Sequence, residues 1–139
     1  MKENIVTVMF KRESEAYQAL AELKRDQVNY GYKIVQLGIV KKENGVDTPV
    51  EGFNSELEKK AKLKAKHMGL MKHAVLKTPD NCVVLVMLVE EQEDIVLNSR
   101  LTKYKPVINR YAVSDLEKEI KEAEKLAKLK KKEEKKKIK

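Results

Sequence analysis

The run CVVLVMLV, residues 82–89, is the longest apolar stretch in this chain. Eight residues are too few for a membrane-spanning helix, which needs about twenty. Because no polar residue alternates with the apolar ones, the run predicts a β-strand that is buried on both faces. A sheet that contains such a strand needs cover on each side, either from the same chain or from a second subunit.

The chain is long enough to build a core around this strand. Its 139 residues fit one domain, and 42% of them are hydrophobic. Cys82 is the single cysteine, so no internal disulfide is possible and a reducing, cytoplasmic location is expected. The N-terminal apolar run turns polar at KRESE, too early for a signal peptide, and no transmembrane segment is expected.

Hydrophobic spacing and turn signals predict eight elements along the chain. In order, they are a strand at 4–10, a helix at 14–26, a strand within 31–45, a helical insert from Ser55, the buried strand, a helix at 90–105, a strand at 107–113 and a helix from Ser114. Both Ser55 and Ser114 are followed three residues later by glutamate, the capping-box spacing that starts helices. The segment VDTPVEGF (46–53) is expected to be a loop that can include a short extended piece.

This order is that of the split βαβ unit, so the sequence predicts a ferredoxin-like α+β sandwich with an antiparallel four-stranded sheet. Strands 4–10 and 82–90 would lie in the middle of the sheet. Residues 1–129 would form one domain with a helical insert at 45–80 and an extra C-terminal helix, followed by a basic tail at 130–139. The apolar second face would be covered by the insert, by the C-terminal helix or by a second subunit, and a homodimer formed partly through this face is expected.

Both ends of the chain resemble a bacterial family, the domain-of-unknown-function 1269 family, which is related to general-stress proteins. The resemblance covers residues 4–45 and 80–127, from IVTVMFKRESEAYQALAELK to YAVSDLEKEIKEAEKLA. Members carry a glycine-rich apolar segment between the two halves, which implies membrane association for some of them. Here ELEKKAKLKAKHMGLMKH fills that position instead. The resemblance implies a stress-related role and supplies no catalytic residues.

Charge is concentrated in two basic segments. Residues 59–77 carry seven lysines and no acid, and residues 125–139 carry nine lysines and two glutamates, so the remainder of a chain of net charge +8 is mildly acidic. Such segments are typical of weak, non-specific contact with nucleic acid or an anionic membrane surface, but they are equally typical of solvated helices. The candidate anion-binding residues are Lys59, Lys60, Lys62, Lys64, Lys66, Lys130, Lys131, Lys132, Lys135, Lys136 and Lys137.

No catalytic, cofactor or metal site is predicted. Cys82 has no evident thiolate-stabilising neighbour and is expected to be a buried core residue. His67 and His73 are six residues apart, whereas metal-binding pairs on helices are separated by three or four. The acids of EEQED (90–94) are expected to begin a helix, where the macrodipole favours negative charge.

The favoured interpretation is a non-catalytic, oligomeric binding or regulatory protein. The strands lack the paired aromatic side chains with which RNA-recognition sheets stack bases. Alternatives are an anionic-surface binder that uses the two basic segments, a ligand sensor, or an enzyme of the dimeric α+β-barrel type with Thr7, Gln36, Asn109 and Arg110 as its scattered polar residues. Residues 117–129 are expected to dock as an amphipathic helix, and deletion of 130–139 is expected to abolish polyanion binding without loss of stability.

Overall fold

A computed structural model describes residues 2–51 and 65–137, which form one antiparallel five-stranded sheet with helices on both faces. The strands are β1 (Lys2–Phe10), β2 (Tyr32–Glu43), β3 (Val46–Glu51), β4 (Cys82–Glu91) and β5 (Val107–Ala112). The described helices are α1 (Glu13–Tyr30), α2 (Ala65–Leu76), α3 (Asp94–Arg100) and α4 (Val113–Lys137), with a short 3-10 helix at Thr102–Tyr104.

The strand order across the sheet is β3-β2-β4-β1-β5. β4 therefore lies at the centre, and its residues from Val83 to Val89 are all 4% exposed or less. The prediction that this strand is buried on both faces is confirmed. Its side chains alternate between two separate apolar clusters, one on each side of the sheet.

The predicted four strands are wrong in number, because the segment expected to be a loop forms β3. Asn44 and Gly45, with φ of 52° and 77°, are both left-handed, as the two-residue turn of a β-hairpin requires. This turn folds residues 46–51 back onto β2. Pro49 obscured the strand in the sequence, and it is tolerated because β3 is an edge of the sheet.

The first face of the sheet is covered by α1 and α3. The α1 side chains Ala16, Ala19 and Leu23, none of them exposed, pack with Val8 and Leu85 of the sheet. Leu97 of α3 joins the same cluster. The helical spacing of the apolar residues in the α1 sequence predicts this buried face.

The second face is covered by α2 and by the first two turns of α4. Leu70 and Met71 of α2 and Leu116 of α4 pack on Ile5 and Leu88 of the sheet, and each is 1% exposed or less. One chain thus covers both apolar faces. The reason for expecting a dimer through this face therefore does not hold.

The helices differ from their predicted bounds. Ser55 and its capping box lie outside the described residues. The helix expected at 90–105 is shorter, because Glu90 and Glu91 extend β4 and α3 begins only at Asp94. α4 begins at Val113, one residue before the predicted cap at Ser114.

The docked part of α4 is also shorter than expected. Ile120 is the last residue of this helix that packs against the second-face cluster. All residues from 121 to 130 are exposed, including Leu126 at 60% and Leu129 at 57%, so the prediction of docking up to Leu129 is wrong. The helix nevertheless continues to Lys137. Among the described residues, no helix is long and apolar enough to cross a membrane.

Candidate functional site

The distal two thirds of α4, residues 121–137, continue the helix past Ile120, its last residue that packs against the second-face cluster. At 1.5 Å per residue, these 17 residues span about 25 Å. They carry nine lysines and four glutamates. We call this part the α4 arm. Because residues 121–130 are all exposed, their side chains are available to a partner along the arm.

Three exposed lysines of the arm form a stripe. Lys121, Lys125 and Lys128 are separated by four and then three residues, which places them on one face of an α-helix. By helical register this face lies roughly 130° around the axis from Leu116 and Ile120, the residues that dock α4 on the sheet. The lysine stripe therefore faces away from the body of the protein. Lys132 and Lys135 continue the same spacing in the sequence.

The lysines predicted to bind anions are divided by the structure. Lys130 is exposed on the arm, and Lys131, Lys132, Lys135, Lys136 and Lys137 follow it within the same helix. Lys66 lies in the first turn of α2, whereas Lys59, Lys60, Lys62 and Lys64 lie outside the described residues. The candidate residues did not include Lys121, Lys125 or Lys128, although the last two lie in the basic segment 125–139 and the spacing of all three is visible in the sequence.

An ionic cluster fixes the base of the arm to α2. Glu119 of α4 accepts hydrogen bonds from Lys77 Nζ at 3.1 Å and lies 3.1 Å from His73 Nε2. The hydrogen bond from Lys77, followed by that from His73, holds the pKa of Glu119 below its ordinary value. Lys77 also lies 5.3 Å from the centre of the Tyr111 ring, a cation–π contact. His73, whose spacing from His67 does not suit a metal site, instead faces this carboxylate.

A buried lysine from β2 caps the C-terminus of α2. Lys42 of β2 is 6% exposed, and its Nζ donates hydrogen bonds to the carbonyl oxygens of Val75 at 2.8 Å and Thr78 at 2.9 Å. Carbonyl groups at a helix C-terminus lack partners within the helix and carry the negative end of its dipole. Lys42 satisfies both needs, so it positions α2 on the sheet rather than binding a ligand.

Glu91 and Arg110 form a buried ion pair under α3. Arg110 Nε donates to Glu91 Oε1 at 2.5 Å, and Nη2 donates to Glu91 Oε2 at 3.1 Å and to Asn98 Oδ1 at 3.0 Å. Asn4 donates to the same carboxylate at 3.0 Å. Glu91 was expected to begin a helix. It instead ties β4, β1 and β5 to α3.

A second ion pair joins α1 to the 3-10 helix. The ammonium group of Lys103 donates a hydrogen bond to Glu22, which lowers the pKa of Glu22 and raises the pKa of Lys103. Burial raises the pKa of the neighbouring Tyr104, whose ring meets Phe10 edge-on at 5.8 Å between ring centres. These contacts hold the loop that follows α3 against α1.

Cys82 lies beside a cleft of about 270 Å³ at one end of the sheet, together with Lys11, Lys41 and Glu43. It is partly exposed rather than buried as predicted, because β4 begins there, and its Sγ donates to the carbonyl oxygen of Pro79 at 3.2 Å. Burial raises the pKa of the thiol despite the charge of Lys42. A raised pKa disfavours the reactive thiolate.

The polar residues considered for an enzyme do not meet in one place. Thr7 and Asn109 are opposite each other on β1 and β5, on the face covered by α2 and α4. Gln36 lies on the same face, two strands away from Thr7. Arg110 lies on the opposite face, bound to Glu91. Within residues 2–51 and 65–137, no group of three or more metal-ligating side chains converges.

Comparisons with known proteins give no further guide to the site. No family model, no curated protein and no solved structure matched the chain.

Proposed function

We propose that this protein is a non-catalytic binding protein that contacts the phosphate backbone of double-stranded nucleic acid through the α4 arm. The observation that carries the proposal is the lysine stripe of Lys121, Lys125 and Lys128 on the α4 arm, where residues 121–130 are all exposed. Lysines that neutralise phosphates release condensed counterions, and this release drives binding without regard to base sequence.

The chemistry of the arm favours nucleic acid over a membrane surface. A helix that lies in a membrane interface needs an apolar face along its length. The apolar residues of the arm are Ala123, Leu126, Ala127 and Leu129, and the next eight residues, KKKEEKKK, are all charged. Only the first two turns of the arm could therefore enter a membrane interface.

The arm also favours a duplex over a single strand. Proteins that bind single strands stack the bases on aromatic side chains. α4 contains no aromatic residue from 113 to 137. Contacts to phosphates alone suit a duplex, whose charges are regularly spaced along a stiff rod.

The rest of the chain would serve as a folded support for the arm. Without β3, the strand order is β2-β4-β1-β5, which supports derivation from a ferredoxin-like core with an added hairpin strand. Cytoplasmic location is part of the same proposal, supported by the single thiol, as is the stress-related role that the family resemblance implies.

The test is duplex binding by the triple variant Lys121→Gln, Lys125→Gln and Lys128→Gln, measured by fluorescence anisotropy over a range of salt concentrations. We expect weaker binding at low salt and a slope of log K against log salt that is smaller by about 2.7, since each phosphate contact contributes about 0.9. Vesicles that contain phosphatidylserine provide the membrane comparison. The triple variant is expected to lose less affinity for these vesicles than for the duplex.

The matched control removes the same charge from the body, with Lys2→Gln, Lys11→Gln and Lys33→Gln, three exposed lysines on or beside the sheet. It should leave the salt slope unchanged if the arm is the site. Equal losses in the two triple variants would show that net charge alone matters. Loss of binding only on substitution of Lys59, Lys60, Lys62 and Lys64 would assign binding to the insert and overturn the proposal.

A further inference from the structure

The two edges of the sheet differ in how well they resist the addition of another strand. Within residues 2–51 and 65–137, β3 and β5 are the edge strands, and each has six residues with a neighbouring strand on one side only. The outer backbone groups of an edge strand can pair with a strand from another molecule. Proteins usually prevent this with proline, with charged side chains or with a covering element.

The β3 edge carries such protection. Its sequence, VDTPVE, contains Pro49, which has no backbone N–H to donate, and two acids at positions 47 and 51. Two β3 strands brought together would also place negative charges near each other. This edge is therefore unsuited to self-association.

In the part of the chain that the structure describes, the β5 edge has no comparable protection. Its sequence, VINRYA, contains no proline and one charged residue, Arg110, whose guanidinium is bound by Glu91 and Asn98. Val107 is 56% exposed at the start of the strand. α4 contacts β5, β1 and α2. It therefore lies over the face of the sheet and does not cover the outer edge of β5.

We propose that the β5 edge pairs with the β5 edge of a second copy of the chain, antiparallel, to make a continuous ten-stranded sheet. Identical strands that pair about a two-fold axis form a self-complementary interface. This interface differs from the dimer expected from the sequence, which used the apolar face now covered by α2 and α4. It goes beyond the proposed function and does not depend on it.

Side-chain chemistry selects the register. With the two-fold axis at Asn109, this residue faces Asn109 of the partner subunit, and Val107 faces Tyr111 of the partner subunit. Amide pairs can hydrogen-bond, and pairs of aromatic and β-branched residues are favourable across strands. An axis at Arg110 would instead place two guanidinium groups opposite each other, which is unfavourable.

The proposed dimer is weak on grounds of size. Stable specific interfaces bury about 1,200–2,000 Å² in total, and two six-residue strand edges offer less than that. The association is therefore expected to depend on concentration. A dimer would carry two α4 arms, which would raise the avidity for any partner that both arms reach.

The first experiment is sedimentation with a charge-swap series at Asn109. The wild-type chain is expected to shift from its 16.0 kDa monomer mass to twice that mass as concentration rises. Asn109→Lys and Asn109→Glu should each remain monomeric, because like charges meet across the axis. An equimolar mixture of the two should recover the dimer, which a variant that merely failed to fold could not do.

The control is Val46→Lys, at an exposed valine (62%) on the β3 edge, which should dimerise like the wild type. Three results would overturn the proposal: a wild-type chain that stays monomeric up to about 1 mM, loss of the dimer in Val46→Lys, or failure of the mixture to associate.

A second experiment tests the register. In the Cys82→Ala background, Asn109→Cys should form an intermolecular disulfide under mild oxidation. Directly opposed residues in antiparallel strands have Cα atoms about 4.5–5.5 Å apart, within the range that a disulfide accepts. Val46→Cys in the same background should cross-link much more slowly. Equal rates for the two variants would contradict the assignment of the β5 edge.

Discussion

Glu91 illustrates how a single side chain depends on distant parts of the chain. It is 2% exposed, and its oxygens accept hydrogen bonds from Arg110, 19 residues later, and from Asn4, 87 residues earlier. A buried carboxylate without such partners would be costly, because it would lose its hydration without compensation. The ion pair therefore makes the ends of β1, β4 and β5 dependent on one another.

We expect Arg110→Ala to destabilise the fold strongly, by about 3–5 kcal/mol, because it leaves Glu91 buried without its charged partner. The double variant Glu91→Met, Arg110→Met removes both charges and should lie much closer to the wild type. Urea unfolding measures the free energy of unfolding of the single and the double variant. The control is Arg25→Ala, which breaks a pair whose arginine side chain is 73% exposed and should cost less than about 1 kcal/mol. A double variant as unstable as Arg110→Ala would refute this account.

Glu119 should make the attachment of α4 sensitive to acid. Lys77 and His73 lower its pKa in the folded state, so the folded state binds this proton less readily than the unfolded state does. The stabilisation is then fully present above the ordinary glutamate pKa of about 4.3 and is lost as the pH falls through the lower folded value. The difference in urea midpoint between the wild type and Glu119→Gln should shrink as the pH falls from 5 towards 3. A difference that grew between pH 5 and pH 3 would have the wrong sign.

At the scale of the element, α4 consists of two physically different halves. The first half has Leu116, which is 1% exposed, and Ile120 against the sheet. The α4 arm has no such contacts over residues 121–130. Its helical form is supported by Glu–Lys pairs four residues apart, such as Glu124 and Lys128, which contribute about 0.2–0.5 kcal/mol each.

Two leucine substitutions of the same kind should separate these halves. Leu116→Ala is expected to cost about 2–5 kcal/mol, because it removes buried methyl groups and leaves a cavity. Leu126→Ala should change stability by no more than about 0.5 kcal/mol, because the side chain is 60% exposed and alanine favours a helix. Thermal or urea unfolding followed by circular dichroism measures both. A large cost at Leu126 would mean that the arm packs against something in solution.

At the scale of the whole molecule, each face of the sheet depends on helices from separate parts of the sequence. α1 and α3 cover one face, and α2 and α4 cover the other. β4 contributes side chains to both clusters, so neither layer can be lost without exposing the central strand. The two layers are therefore expected to unfold together.

Two truncations test this dependence. Deletion of 121–139 removes the arm and should leave the unfolding free energy nearly unchanged. Deletion of 113–139 also removes Leu116 and Ile120 and exposes Ile5 and Leu88, so it should produce dye-binding apolar surface and a large loss of stability. Fluorescence of a hydrophobic dye distinguishes the two. Dye binding by the shorter deletion would contradict the division of α4 at Ile120.

The sequence alone determined the elements whose signals are local. The uninterrupted apolar run of β4 predicted its burial, the helical spacing of Ala16, Ala19 and Leu23 predicted α1, and the lysine run predicted a basic C-terminal segment. These patterns depend on residues within a few positions of each other. The stripe of Lys121, Lys125 and Lys128 is also a local pattern, and it can be recognised from the sequence alone.

Only the tertiary structure decided which of these segments meet. β3 is a strand because the Asn44–Gly45 turn returns it to β2, despite Pro49. Glu91 pairs with Arg110 because β4 and β5 flank β1. α4 docks only as far as Ile120, in a cluster that it shares with α2 and the sheet. Each outcome depends on contacts between residues far apart in the sequence, and local spacing carries no information about them.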